Sequence, residues 1–351
     1  MKKLLLFLFV MLVALVLGAC TTGEDAGEEP SDDSGTETET TEEGQVEEEG
    51  TDESAGEKIL YLNNGIEPTS LDPSIGFDQV SWDPLNNLME GLTRQDENHQ
   101  AAAGVAESWD ISDDGLTYTF YLRENANWSN GDPVVAEDFV YAWKYMLNPD
   151  NASAAAFLGY FIKGAEAYNE GSADDVGITA VDEKTLEVVL EAPTGFFLDV
   201  LTNPAFFPVN HKVAQENPDW HAEAETFVAN GPFMLESWDH DVEMMFAKNP
   251  EYWDADAVKL DKIHFAMVND TNTQYQMFES GELDTASIPA ELSDQLIDGD
   301  NVFIGPYGGL EFYRFNVTME PFQNKKIRQA FAYAIHRDDI AEYVVKNGVE
   351  P

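Results

Sequence analysis

The boundary at residues 57 and 58 limits the fold more than any other feature of the chain. Residues 21–57 consist almost wholly of Glu, Asp, Thr, Ser and Gly, with 16 acidic residues and no Lys or Arg. Val46 is the only sizeable aliphatic residue among them. Such a segment has too little apolar surface to offset the entropy lost on ordering, and its like charges keep it extended. It is expected to be a disordered tether. An acidic metal-binding tail is the rival reading, but nothing in the segment sets a coordination geometry. The core must therefore be built from residue 58 onward.

What precedes the tether is an address. Lys2 and Lys3 lead an apolar run over residues 4–17, too short for a comfortable membrane span, which ends L-G-A-C at 17–20. Residues 1–19 read as a secretion signal. The ending resembles the lipobox of bacterial lipoproteins, which implies cleavage before Cys20, lipidation of Cys20 and a mature chain held on a membrane outside the cytoplasm. The other reading is an ordinary signal peptide with an incidental cysteine. Cys20 is the only cysteine, so an intrachain disulfide and a cysteine zinc cluster are both excluded.

Of the 67 acidic residues, 16 lie in the tether and none before it, which leaves 51 in residues 58–351. Of the 18 basic residues, all but Lys2 and Lys3 lie there too, which leaves 16 and a formal charge of −35 for the part that folds. That charge argues against nucleic acid and anionic membrane surfaces as partners and suggests a saline or alkaline exterior. Apolar residues make up 43% of the chain, with 7 Trp, 13 Tyr and 21 Phe, enough for two or more domain cores.

Periodicity predicts strands at 59–62, 116–122, 186–190, 242–247 and 260–267. It predicts helices over 82–92, from Ala136 onward, over 273–283 and over 325–336. Phe139, Ala142, Trp143 and Met146 form one stripe and, with Trp128, are expected in the core. Tyr275, Phe278 and Leu283 are expected buried, and residues 206–209 are expected to be a buried extended run. Ile327, Ala330, Phe331, Ala334 and Ile335 share a helical face. Strands mixed with helices throughout indicate α/β or mixed α+β layers.

A search for chemistry finds no metalloprotease, nucleophile-elbow or phosphate-loop motif. His99, His211, His221, His240, His264 and His336 lack metal-ligand spacing. Asp110, Asp113 and Asp114 before Gly115 invite a calcium-loop reading, but residue 112 is Ser and Tyr121 stands where the closing Glu is needed, so a hairpin turn is expected. No enzyme, metal or cofactor is indicated.

Nine segments carry a resemblance: E-P-T-S-L-D-P at 67–73, M-E-G-L-T-R at 89–94, A-E-S-W-D-I-S-D-D-G-L-T-Y-T-F-Y-L-R at 106–123, W-S-N-G-D-P at 128–133, A-E-D-F-V-Y-A-W-K at 136–144, N-G-P-F at 230–233, K-N-P-E-Y-W at 248–253, F-E-S-G-E-L-D at 278–284 and I-R-Q-A-F-A-Y-A-I-H-R at 327–337. Together they resemble the extracytoplasmic solute-binding proteins of peptide ABC importers, the oligopeptide- and dipeptide-binding family. The resemblance implies a mixed α/β, two-lobed type II periplasmic-binding architecture with an extra subdomain in the first lobe. It divides the chain into a first segment of lobe I (58–89), the extra subdomain (90–214), lobe I continued (215–316) and the start of lobe II (317–351). Most of the second lobe, with the acidic residue that grips a peptide's α-amino group in relatives, would lie beyond Pro351.

The function implied is a lipid-anchored, monomeric substrate-binding component that passes short peptides to permease subunits. It would work on the outer face of a Gram-positive-type membrane or on the periplasmic side. A nickel chelate, haem, an opine or an oligosaccharide is the alternative cargo; a secreted hydrolase or an adhesion protein is the alternative class. Ligand contacts implied by family position are Asn64, Gly65, Ile66, Glu67, Ile75, Gly76 and Phe77, with Asn230, Gly231, Tyr307 and Phe315 as weaker candidates. Each competes with a plain turn or strand role. The aromatic residue that relatives offer from the loop after the A-W-K helix has no match, since residues 153–156 are Ser-Ala-Ala-Ala.

Overall fold

The computed structural model describes residues 56–351 apart from 306–308, 311 and 347. The signal segment, Cys20, the tether up to residue 55 and Tyr307 lie outside the described residues.

The first strand finds its partner some two hundred residues later. β1 (Ile59–Asn63) runs parallel to β10 (Lys262–Ala266), with Ile59 opposite Lys262 and Asn63 opposite Ala266. Parallel neighbours require a crossover, and here nearly everything between the two strands is the crossover. β9 (Glu243–Lys248) and β8 (Phe233–Asp239) complete this sheet in antiparallel fashion, in the order β1-β10-β9-β8. Alternation places Ile263 and Phe265 of β10 inward, with Met244 and Phe246 of β9 beside them, all buried.

The intervening chain makes a hairpin, β2 (Thr93–Gln95) with β3 (Ala101–Ala103), and a second four-stranded sheet. That sheet is wholly antiparallel, ordered β4-β5-β7-β6, from β4 (Ala106–Ile111), β5 (Thr117–Leu122), β7 (Thr185–Val189) and β6 (Ile178–Asp182). Tyr118, Phe120 and Leu122 face inward with Leu186 and Val188, while Thr117, Thr119 and Tyr121 do not, as the alternation predicts. The turn between β4 and β5 is the expected hairpin: Gly115 has φ +70°, and Asp114 accepts from Ser112 Oγ at 2.6 Å and Leu116 N at 3.1 Å.

Four helices of ten or more residues occur among the described residues: α1 (Gln79–Leu88), α2 (Ala136–Leu147), α3 (Thr271–Ser280) and α4 (Lys325–Ala334). α2 carries the predicted stripe into the core, with Phe139, Trp143 and Met146 fully buried; Trp128 is fully buried too. α1 starts three residues earlier than its apolar pattern suggests. The Asp78 carboxylate accepts from Ser81 N at 2.8 Å and sets the start. α1 also ends at Leu88, because Met89 turns extended.

Three other expectations need correction. Residues 206–209 are buried but not uniformly extended, because Pro204–Phe206 form a 3-10 turn closed by the Asn203 side chain on Ala205 N at 3.0 Å. Only Leu283 of the α3 region is buried; Tyr275 and Phe278 are half-buried, with rings packed on each other. α4 ends at Ala334, and its apolar face is largely open: Phe331 is 49% exposed, with its ring against those of Phe315 and Phe322.

Candidate functional site

The chain leaves β1 through Asn64. Its N–H still follows the ladder, donating to Ala266 O at 2.8 Å. Its side-chain Nδ2 donates to Ile66 O at 2.9 Å and to Val80 O at 2.8 Å. The second bond has a covalent cause. Pro84 sits inside α1 and has no N–H for the carbonyl four residues back, which is that of Val80. Asn64 supplies the missing donor.

Gly65 follows with φ +82°, a left-handed conformation that a side chain would strain. Ile66 then projects outward, 47% exposed. Glu67 closes the segment, but not as a free charge. Its Oε1 lies 2.6 Å from His240 Nδ1, and its Oε2 accepts from Asp241 N at 2.9 Å and Trp238 Nε1 at 3.4 Å. Residues 64–67 are thus pinned to β10 and α1 at one end and to the β8–β9 turn at the other. Between the pins, the N–H groups of Gly65, Ile66 and Glu67 donate to nothing among the described residues. A fixed backbone with unpaired N–H groups is what strand addition by an extended ligand requires.

The loop at 72–77 is held as firmly. Asp72 O accepts from Ile75 N at 3.0 Å and Gly76 N at 2.8 Å, and its carboxylate accepts from Ser74 N at 2.8 Å. Burial pushes the Asp72 carboxyl up, against the Ser74 amide and the charge of His221. Ser74 Oγ reaches Ala142 O of α2, and Ser153 Oγ returns to Ser74 O at 2.6 Å. Gly76 is structural: a Cβ there would stand 2.7 Å from Ser70 O, and its carbonyl accepts from Trp82 Nε1 at 3.1 Å. Ile75 and Phe77 are half-buried.

Phe77 packs edge-on against Trp82 at 5.4 Å and Phe157 at 5.8 Å between ring centroids. Phe157 is 53% exposed. It is an aromatic residue of the loop after α2 that is absent from the candidates the sequence suggests. It lies one position beyond the Ser-Ala-Ala-Ala run, and the 3-10 turn Ala156–Phe161 brings it beside Phe77.

Asn230 and Gly231 belong elsewhere. Asn230, 2% exposed, accepts from Glu90 N at 3.1 Å and donates to Glu90 O at 2.9 Å. Gly231 lies against α1, where a Cβ would meet Met89 N at 2.6 Å and Leu88 C at 2.7 Å. Asn249 Nδ2 donates to Gly231 O at 2.9 Å. Glu90 accepts from Tyr252 OH and Trp253 Nε1, each at 2.6 Å, and from Arg94 at 3.3 Å. The Arg123 guanidinium lies 3.7 Å over the Trp253 ring. The segments M-E-G-L-T-R, N-G-P-F and K-N-P-E-Y-W therefore meet in one structural knot. Phe315 is likewise engaged internally, 5.1 Å from Phe322 and 5.6 Å from Phe331.

A cavity of about 710 Å³ opens beside this knot, lined by residues that include Asn86, Glu90, Arg94, Asp199, Asn203 and Tyr252. It shares no lining residue with 64–67 or 75–77. The unpaired backbone and the exposed Ile66 and Phe157 make the surface around 64–67 and 77 the stronger candidate for capture.

A family model described as bacterial extracellular solute-binding proteins, family 5 Middle, matches residues 100–351. The dipeptide-binding protein DppE of Bacillus subtilis is 55% identical over 341 residues, covering 97% of this chain and 60% of that protein. The oligopeptide-binding protein OppA of the same organism is 40% identical over 311 residues, covering 86% and 57%. Among solved structures, the murein tripeptide binding protein MppA of Escherichia coli matches with a TM-score of 0.81 at 31% identity, over 85% of this chain and 59% of that one. Listeria monocytogenes OppA bound to peptide matches with a TM-score of 0.76 at 32% identity, over 85% and 60%. The chain spans 57–60% of the length of DppE and OppA of Bacillus subtilis.

Proposed function

This chain belongs to family 5 of the bacterial extracellular solute-binding proteins, and on that premise we propose that it captures short peptides outside the cell for an ABC importer. The family is one of non-catalytic solute binders, and the mixed α/β layers are those of the type II periplasmic-binding architecture. The observation that carries the peptide reading is the segment 64–67: clamped at both ends, bearing unpaired backbone N–H groups, with apolar Ile66 exposed. Main-chain pairing along such an edge is indifferent to side-chain identity, which suits a ligand class of varied sequence.

Gly65, Ile66 and Glu67 contribute backbone to the ligand, and Phe77 and Phe157 contribute apolar surface. Asn64 and Gly76 act behind them, holding the two loops. The β1 to β10 pairing supports reading 58–89 and 215–316 as one lobe, interrupted by the subdomain of the second sheet at 90–214, with 317–351 opening a second lobe. Lipidated Cys20 and the acidic tether hold the protein to the outer face of a membrane, where it acts as a monomer beside its permease. A Cys20→Ser protein should move from the membrane to the soluble fraction; retention on the membrane would remove the lipid anchor from this account.

Calorimetric titration of the intact protein with di-, tri- and tetra-alanine tests the reading. Micromolar or tighter binding of one of these is expected, with no heat from a nickel–histidine chelate, haem or maltotriose. Binding of one of those three in place of the peptides would overturn it.

A further inference from the structure

The capture edge ends on a histidine set between two carboxylates. His240 Nδ1 lies 2.6 Å from Glu67 Oε1, and Nε2 lies 3.5 Å from Glu223 Oε2. The ring is fixed from a third side by Trp238, 4.3 Å away between centroids. Asp241, with φ +62°, turns its N–H onto the second oxygen of Glu67. A neutral imidazole has one donor, so only the imidazolium donates to both carboxylates at once. The charged groups acting on His240 come from two places: Glu67 from the segment after β1 and Glu223 from the loop before Phe227. No Lys or Arg among the described residues acts on it.

We propose that His240 is a positioning residue for capture: as an imidazolium bridging Glu67 and Glu223 it fixes the backbone of residues 65–67, and the edge loosens when it loses its proton. This rests on the peptide-capture reading above. The hydrogen bond to Glu67 raises the His240 pKa above the ordinary value of about 6.5, Glu223 adds to the rise, and partial desolvation opposes it. The bridge is therefore complete below the ordinary value and is lost as pH rises through the raised one.

The test titrates di-, tri- and tetra-alanine into the full chain and into His240→Gln, His240→Lys and Glu67→Gln proteins between about pH 5 and pH 9. The His240 ring is followed by NMR over the same range. For the wild type, Kd should rise about two- to fivefold across the titration of His240, as expected for a partly exposed ion pair. His240→Gln should bind weakly at every pH. His240→Lys, which keeps the charge, should bind tightly with a flat profile. Glu67→Gln should lower the midpoint of the His240 titration. Wild type and His240→Gln sharing one Kd and one pH profile, or a His240 midpoint unmoved by Glu67→Gln, would overturn the inference while leaving peptide capture standing. A wild type that binds none of the three peptides would remove both.

Discussion

A carboxylate that is 4% exposed, as Glu90 is, must be compensated at each oxygen. Burial pushes the Glu90 carboxyl up, while the hydrogen bonds from Tyr252 and Trp253 and the charges of Arg94 and Arg123 pull it down. The Tyr252 phenol is pushed up in turn, by its own burial and by the Glu90 charge. In a Glu90→Gln protein one acceptor oxygen becomes a donor facing a donor, and Arg94 loses its buried counter-charge. Unfolding in urea should show a loss of about 1–3 kcal/mol, with peptide Kd unchanged in the folded protein. A weakened Kd at unchanged stability would instead place Glu90 at the ligand. Gly231→Ala meets backbone that cannot step aside, so a loss of about 1–3 kcal/mol or more is expected from the same measurement. A neutral result would show that the α1 end is pliant.

At the scale of elements, α2 is held by one side chain at its first turn. Asp138 Oδ2 accepts from Val135 N and Trp128 Nε1, each at 3.0 Å, and Oδ1 accepts from His211 N at 3.1 Å with His211 Nδ1 at 2.6 Å. The carboxylate caps the helix, orients a buried tryptophan and anchors the His211 turn together. Asp138→Asn should cost about 1–3 kcal/mol, because one oxygen becomes an NH2 group facing donors. Near-ultraviolet circular dichroism should register the released Trp128, and an unaltered spectrum and melting curve would contradict the role. The body of α2 is legible in the sequence, since its apolar stripe and its Glu137 and Asp138 are local signals. Strand β5 is legible from the alternation of Tyr118, Phe120 and Leu122. The start of α1 at Asp78 is less so, because its cap lies ahead of the apolar pattern. The Glu90 knot is not legible at all. It joins residues more than a hundred positions apart, and nothing local in N-G-P-F distinguishes a buried brace from a ligand loop. Phe157 and His240 were hidden for the same reason: their neighbours, Phe77 and Glu67, are brought to them by the fold.

On the scale of the whole molecule, residues 58–351 carry 51 acidic and 16 basic residues. Self-repulsion of that size destabilises the compact state and is screened by salt. Raising sodium chloride from low to molar concentration should therefore raise Tm by about 2–3 °C, corresponding to relief of about 1–2 kcal/mol in a protein of this size. A Tm that falls with salt would mean that specific ion pairs outweigh the bulk repulsion. This bulk charge need not describe the proposed capture edge, because a peptide is a zwitterion and that edge would offer it backbone rather than charge. Native mass spectrometry of the intact protein, purified without denaturation and with its bound ligand identified, tests peptide capture most directly. Short peptides of mixed sequence are the predicted cargo, and recovery of only a sugar, a haem or a metal chelate would contradict the account.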